Sequence, residues 1–238
     1  MASSSVSGHI SKQFDQDLED VRENVLRMGG YVEQQLADAL KSLIEADIDL
    51  AEKVLKNEYN VNKMEVDIDE EVIHLLARRQ PAAGDLRLTM AVIKTITDLE
   101  RIGDEAQKIA KMGLDLAEKQ GPKAYYVGIN SMGNHVFRMV RGALDAFARM
   151  DTQAAFLVAK EEPESDTQYA AILRQLITYM MEDPRSISGT LDAMWTARAL
   201  ERIGDHARNI CEYVIYFVEG KDVRHISIEE LEKEISED

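Results

Sequence analysis

Apolar residues recur at intervals of three and four through most of the chain. Val54, Val61, Ile68, Val72 and Leu75 form one such series, Leu99, Ile102, Ala106 and Ile109 another, and Leu200, Ile203, Ala207, Ile210 and Val214 a third. A helix turns once in about 3.6 residues, so this spacing stacks apolar side chains on one face, whereas a half-buried strand would alternate every second residue. No such alternation bounded by turn signals is present. The same stretches are rich in Ala, Leu, Glu, Lys, Arg and Met, which lose little side-chain freedom in a helix. Punctuation comes from Pro81, Pro122, Pro163 and Pro184. Proline has no amide hydrogen, and its ring clashes with the preceding helical turn. The pattern predicts six helices, at 11–45, 48–79, 85–118, 124–150, 152–182 with a break near Pro163, and 186–219. Rods of about 45 Å, at about 1.5 Å per residue, bury their stripes by lying antiparallel with short connections.

The chain also repeats itself. Leu-Glu-Arg-Ile-Gly-Asp occurs at 99–104 and again, identically, at 200–205, and the likeness continues through Ala106/Ala207 and Ile109/Ile210. Upstream, an offset of 104 residues pairs Met28-Gly29 with Met132-Gly133, Ala39-Leu40 with Ala143-Leu144, Asp47 with Asp151 and Ile68 with Ile172. Each half is therefore read as one copy of a three-helix unit. The expected fold is all-α: two repeated three-helix bundles, six long antiparallel helices, with pseudo-twofold internal symmetry. Gly121-Pro122 is the expected junction. That gives a first bundle at 1–121, a second at 122–226 and an acidic tail at 227–238, expected to fray. Glycine inside a helix costs about 1 kcal/mol against alanine, so the recurrence at 29/133 and 103/204 predicts close helix–helix approach there.

Charge narrows the range of partners. The 238 residues hold 28 Lys and Arg against 44 Asp and Glu, a formal net charge of −16. That sign opposes nucleic-acid binding, which runs on neutralised phosphates, and docking of the whole surface on anionic lipid. The sole cysteine, Cys211, excludes an intramolecular disulfide and a cysteine-based zinc site. No apolar run approaches the ~20 residues that span a bilayer, and Met1–Ile10 lacks the basic and apolar regions of a signal peptide. The expectation is a cytoplasmic protein without direct membrane insertion.

Candidate chemistry lies in carboxylates one helical turn apart. Glu100/Asp104 and Glu201/Asp205 share a helix face, and the stripe centred on Leu99, Ile102 and Ala106 is expected to leave that face toward the flank or solvent. The second helix offers Glu58-x-x-x-Asn62, with Glu65 and Asp69 continuing its acidic edge, and the fifth offers Glu162-x-x-x-Asp166. If antiparallel helices align such pairs, oxygen donors converge in a set that suits Mg²⁺, Mn²⁺, iron or zinc. A solvated acidic surface is the equal alternative. The ferritin-like di-iron pattern needs Glu-x-x-His from each of two helices with ligands facing inward, and it is not met. His206 reads as a surface residue or an auxiliary ligand. His74 and His135 read as ordinary helix residues. Arg101 and Arg202 could pair with carboxylates of their own bundle or grip phosphate. No Gly-rich phosphate loop or nucleophile elbow is present.

The repeated hexapeptide, together with Arg79-Gln-Pro-Ala-Ala-Gly-Asp-Leu-Arg87, Met28-Gly-Gly-Tyr-Val-Glu-Gln-Gln-Leu36, Tyr179-Met-Met-Glu-Asp-Pro184 and Ala199-Leu-Glu-Arg-Ile-Gly-Asp-His206, resembles the PhoU family of bacterial phosphate-transport accessory and regulatory proteins. The likeness covers nearly the whole chain. It implies two three-helix bundles, repression of the phosphate-starvation regulon when phosphate is plentiful, and restraint of phosphate uptake. The implied partners are the ATPase subunit of the Pst phosphate ABC transporter and the PhoR sensor kinase; a homodimer is the expected assembly. It also implies surface metal clusters. Carried over by position, the ligands are Glu58, Glu100 and Asp104 in the first half and Glu162, Asp166, Glu201 and Asp205 in the second. Asn62 stands where the motif prefers Asp, which leaves the first site the weaker. A non-enzymatic signalling adaptor is the leading expectation; a metal-cluster-dependent hydrolase and a purely structural acidic bundle are the alternatives.

Overall fold

The computed structural model describes residues 12–79, 83–119, 124–224, 226, 230 and 232, and among them it is all-helical. Seven α-helices follow in order: α1 (Lys12–Glu45), α2 (Ile48–Arg79), α3 (Ala83–Lys119), α4 (Ala124–Arg149), α5 (Thr152–Ala159), α6 (Glu162–Glu182) and α7 (Ile187–Glu219), with a 3₁₀ turn at Pro184–Ser186. The expected fifth helix is thus two, α5 and α6. Pro163 sits in the first turn of α6, where a missing amide hydrogen costs nothing and further helix upstream is sterically blocked. Pro81 and the expected junction at Gly121-Pro122 lie outside the described residues. So does the 227–238 segment apart from Glu230 and Glu232; Lys160 Nζ lies 3.5 Å from a Glu232 carboxylate oxygen.

The internal likeness is carried into the backbone. Ala46 (φ 54°) and Met150 (φ 50°) turn the chain between α1 and α2 and between α4 and α5. Each is followed by an aspartate whose carboxylate caps the next helix. Leu50 N–H donates to Asp47 at 3.0 Å, and Ala154 N–H donates to Asp151 at 2.9 Å. The same correspondence governs the crossing of α1 on α4. A Cβ at Gly133 would meet Leu40 Cδ2 at 2.6 Å, and one at Gly29 would collide with Leu144. The expectation that these glycines permit close approach holds, and the pairing is reciprocal.

The apolar stripes form one core that runs through both halves, from Val25, Met28 and Val32 on α1 to Ile203, Ile210 and Val214 on α7. Its spine is the packing of α3 along α7. There the two hexapeptides lie antiparallel and level with one another, and polar side chains cross between the halves. Asp98 is 6% exposed and accepts from His206 Nδ1 at 2.6 Å and from Asn209 Nδ2 at 3.1 Å. Arg202 Nη1 lies 3.2 Å from the Glu105 carboxylate, and Lys94 stands over the rings of Tyr213 and Tyr216. Among the described residues no helix is long and apolar enough to cross a membrane.

Candidate metal centre

Small residues set the register that builds the site. A Cβ at Gly204 would lie 3.0 Å from Ser165 Oγ, so α6 approaches α7 closely at that level. Glu162 and Asp166 flank Ser165 on α6, and Glu201 and Asp205 flank Gly204 on α7. The groove between the helices therefore receives all four side chains. Oxygens of Glu162, Asp166 and Asp205 come within 4.8 Å of one another, a spacing at which one cation can bridge them.

Solvent does not receive these groups as the apolar stripe suggested. Glu201 and Glu162 are each only 8% exposed, Asp205 is half-buried, and Asp166 alone is open. The physical reason is the depth of the α6–α7 groove: a helix that approaches at a glycine covers the flank of its neighbour as well as its apolar stripe. Arg208 and Arg198 hold the edges. Arg208 Nη1 donates to Glu162 Oε2 at 2.9 Å and its Nε to Glu212 at 3.0 Å, while Arg198 donates to Glu201 Oε1. The other Glu201 oxygen, Oε2, is buried and has no hydrogen-bond partner. Burying a carboxylate oxygen with nothing to donate to it is unfavourable.

The crowding shows in the acid strengths. Burial, and next the Asp205 charge, push the Glu201 carboxyl above its ordinary range, with Arg198 opposing. Asp205 is raised by burial and by the charges of Glu162 and Asp166. An orphaned oxygen, three converging carboxylates and two carboxyls reluctant to ionise are what a cation would relieve. Glu162, Asp166 and Asp205 could hold such an ion directly, and Glu201 stands beside them.

In the first half the register is the same, since a Cβ at Gly103 would lie 3.4 Å from Val61 Cγ1. Asn62, Glu100 and Asp104 are half-buried along the α2–α3 groove, and the Glu58 side chain lies outside the described residues. Glu65 and Asp69, which the sequence left as an acidic edge, belong to this neighbourhood. Glu65 is raised chiefly by burial, with the Asp69 and Asp104 charges adding and Thr97 and Arg101 opposing. A hint was available in their heptad-like spacing after Asn62, but only the helix packing brings Glu65 toward Asp104.

Two further residues depart from expectation. His206 is not a surface residue, because Asp98 draws its ring into the α3–α7 seam. Arg202 pairs with Glu105 of the other half rather than with a carboxylate of its own, whereas Arg101 stays exposed beside Glu100, 3.6 Å away. The asymmetry follows from the repeat itself: position 105 is Glu, but its counterpart at 206 is His. The one Glu-x-x-His in the chain, Glu71 to His74, is exposed on α2. His135 is 7% exposed, with Nε2 3.2 Å from the Glu161 carbonyl oxygen.

The fold and site together define a class: an all-α repeat protein whose helical hairpins gather carboxylates in their grooves. The sequence matches the family model described as the PhoU domain twice, over residues 25–112 and 129–214. The chain belongs to the PhoU family. It is 51% identical over 231 residues to the phosphate-specific transport system accessory protein PhoU homolog of Pseudomonas aeruginosa, covering 97% of this chain and 96% of that one. The crystal structure of PhoU from Pseudomonas aeruginosa superposes with a TM-score of 0.86 at 52% identity, over 88% of this chain and 100% of that one. The phosphate transport system regulatory protein PhoU from Streptococcus pneumoniae superposes with a TM-score of 0.82 at 29% identity, over 89% of this chain and 99% of the other.

Proposed function

We propose that this chain is a non-enzymatic regulatory adaptor of a phosphate-specific transport system, acting in the cytoplasm. In this reading it represses the phosphate-starvation regulon and restrains uptake by coupling the ATPase subunit of the Pst transporter to the PhoR sensor kinase. The observation that carries it is the match over 97% of the chain to an accessory protein of such a system. The scaffold suits the task, because a rigid core shared by two similar halves offers two separate faces to two partners. Domains at 1–121 and 122–226, an acidic 227–238 segment and a homodimeric assembly belong to the same proposal.

The carboxylate groove serves as a metal centre in this reading. Glu162, Asp166 and Asp205 are the ligands of the second half with Glu201 beside them, and Glu58, Asn62, Glu100 and Asp104 form the weaker first site. Mg²⁺, Mn²⁺, Zn²⁺ or iron are the candidates by donor chemistry. Deleting the gene and assaying alkaline phosphatase at high phosphate tests the regulatory claim: derepression is expected, and intact repression would overturn it. Pulldown with the ATPase subunit and the kinase, each alone, tests the two couplings separately.

A further inference from the structure

Apolar side chains stand exposed at the far ends of both helical hairpins, beyond the carboxylate grooves. On α6 and α7 they are Ile177, Ile187 and Leu191; on α2 and α3 they are Ile73, Leu86 and Met90, all between 41% and 57% exposed. Single exposed apolar residues are ordinary. These six are not scattered, because the offset of 104 that relates α2 to α6 carries Ile73 onto Ile177. An offset of 101, which relates α3 to α7, carries Leu86 and Met90 onto Ile187 and Leu191. The Gly204–Ser165 contact sets the antiparallel register, and it brings Leu191 level with Ile177 and Ile187 level with Met181, itself 81% exposed. Gly103–Val61 likewise brings Met90 level with Ile73. Trp195 extends the second patch by one turn and is 64% exposed.

We propose that these are two equivalent docking faces, each taking an amphipathic helical segment of a partner protein that presents apolar residues flanked by Lys and Arg. Charge selects that occupant. The hairpin from 58 to 104 holds ten acidic against six basic residues, and that from 162 to 205 holds eight against four. Helical periodicity keeps Ile187, Leu191, Glu201 and Asp205 on one side of α7, so a segment seated on the apolar end runs toward the carboxylates. A divalent ion held there lowers the negative excess without reversing it. A second copy seated on the same face would set two acidic hairpins against each other, so the homodimer contact of the adaptor reading lies elsewhere. Nucleic acid and anionic lipid carry the same wrong sign. The inference deepens the adaptor reading, because it gives that adaptor its contact surfaces.

Trp195 is the only tryptophan, so its emission reports directly on the second face. The full chain is titrated with a synthetic helix free of aromatic residues, carrying a leucine stripe flanked by lysines, and with the same helix in which glutamates replace the lysines. A saturable blue shift is expected with the lysine helix, at least about tenfold tighter than with the glutamate one, a difference of about 1.4 kcal/mol. Ile177→Ser/Leu191→Ser, both at exposed sites, should abolish that shift while leaving the helical circular dichroism unchanged. Equal binding of both helices, no shift, or an unaltered response in the double variant overturns the proposal. So does a blue shift on concentrating the protein alone, which would show a second copy on the patch. These outcomes are independent of phosphatase repression, so the docking faces can fail while the adaptor reading stands, and the reverse.

Discussion

Glu201 and Asp205 are carboxyls whose neutral forms the fold favours, and this fixes the sign of their effect on stability. Their folded pKa values lie above the unfolded ones, as does that of Glu65, so the folded chain binds more protons in the intervening range. Stability then falls as pH rises through that range and is regained on acidification. With chelator present, the melting temperature is expected to climb as pH is lowered toward the ordinary carboxylate range. Asp222, held down at about 2 by Arg224, works in the opposite sense, but only below its unfolded value, so the two windows do not overlap. Glu201→Gln should flatten the climb, and saturating Mn²⁺ or Mg²⁺ should flatten it too, by relieving the same charges. A climb unchanged by both would show that the groove carboxylates ionise freely. Asp166→Asn/Asp205→Asn should also reduce the metal retained after dialysis without chelator, read by elemental analysis.

At the scale of the helix, the α1–α4 crossing makes a prediction with an internal control. Gly29→Ala and Gly133→Ala each force a methyl group into a leucine of the other helix and should destabilise by about 1–3 kcal/mol in urea unfolding. Gly30→Ala meets nothing within 4 Å and should stabilise by about 0.5–1 kcal/mol through helix propensity alone. If all three behave alike, propensity rather than packing governs the site. The caps are a second pair: Asp47→Ala and Asp151→Ala each remove one carboxylate-to-amide bond and should cost a similar ~1 kcal/mol.

For the whole molecule, the continuous core and the α3–α7 seam argue against two halves that unfold apart. Trp195 senses the second half only, whereas far-ultraviolet circular dichroism sees every helix. Their denaturation curves should coincide, and separated midpoints would mean independent bundles. Within the seam, Arg202 and Glu105 form an ion pair between the halves whose double-mutant cycle to alanine should give a coupling of about 0.5–3 kcal/mol. Lys108 also reaches Glu105, at 3.0 Å, which places the expected value toward the lower end.

The helices, the repeat and the residue types of the site were legible in the sequence alone, because propensity, apolar period and capping act over one or two turns. Its boundaries for α2 coincide with those observed, at 48–79, and the break before Pro163 follows from one missing amide hydrogen. It also named all three converging carboxylates, since a turn of helix brings positions four apart onto one face. What it could not supply was depth. Whether Glu201 meets water or a groove depends on how closely α6 lies on α7, which a glycine allows but does not dictate. The partners of His206 and Arg202 stand 108 and 97 positions away in the chain, on a helix of the other half. Only tertiary packing decides such pairs, because the antiparallel register of two long helices is set by the summed fit of their whole contact faces. No short motif contains that sum.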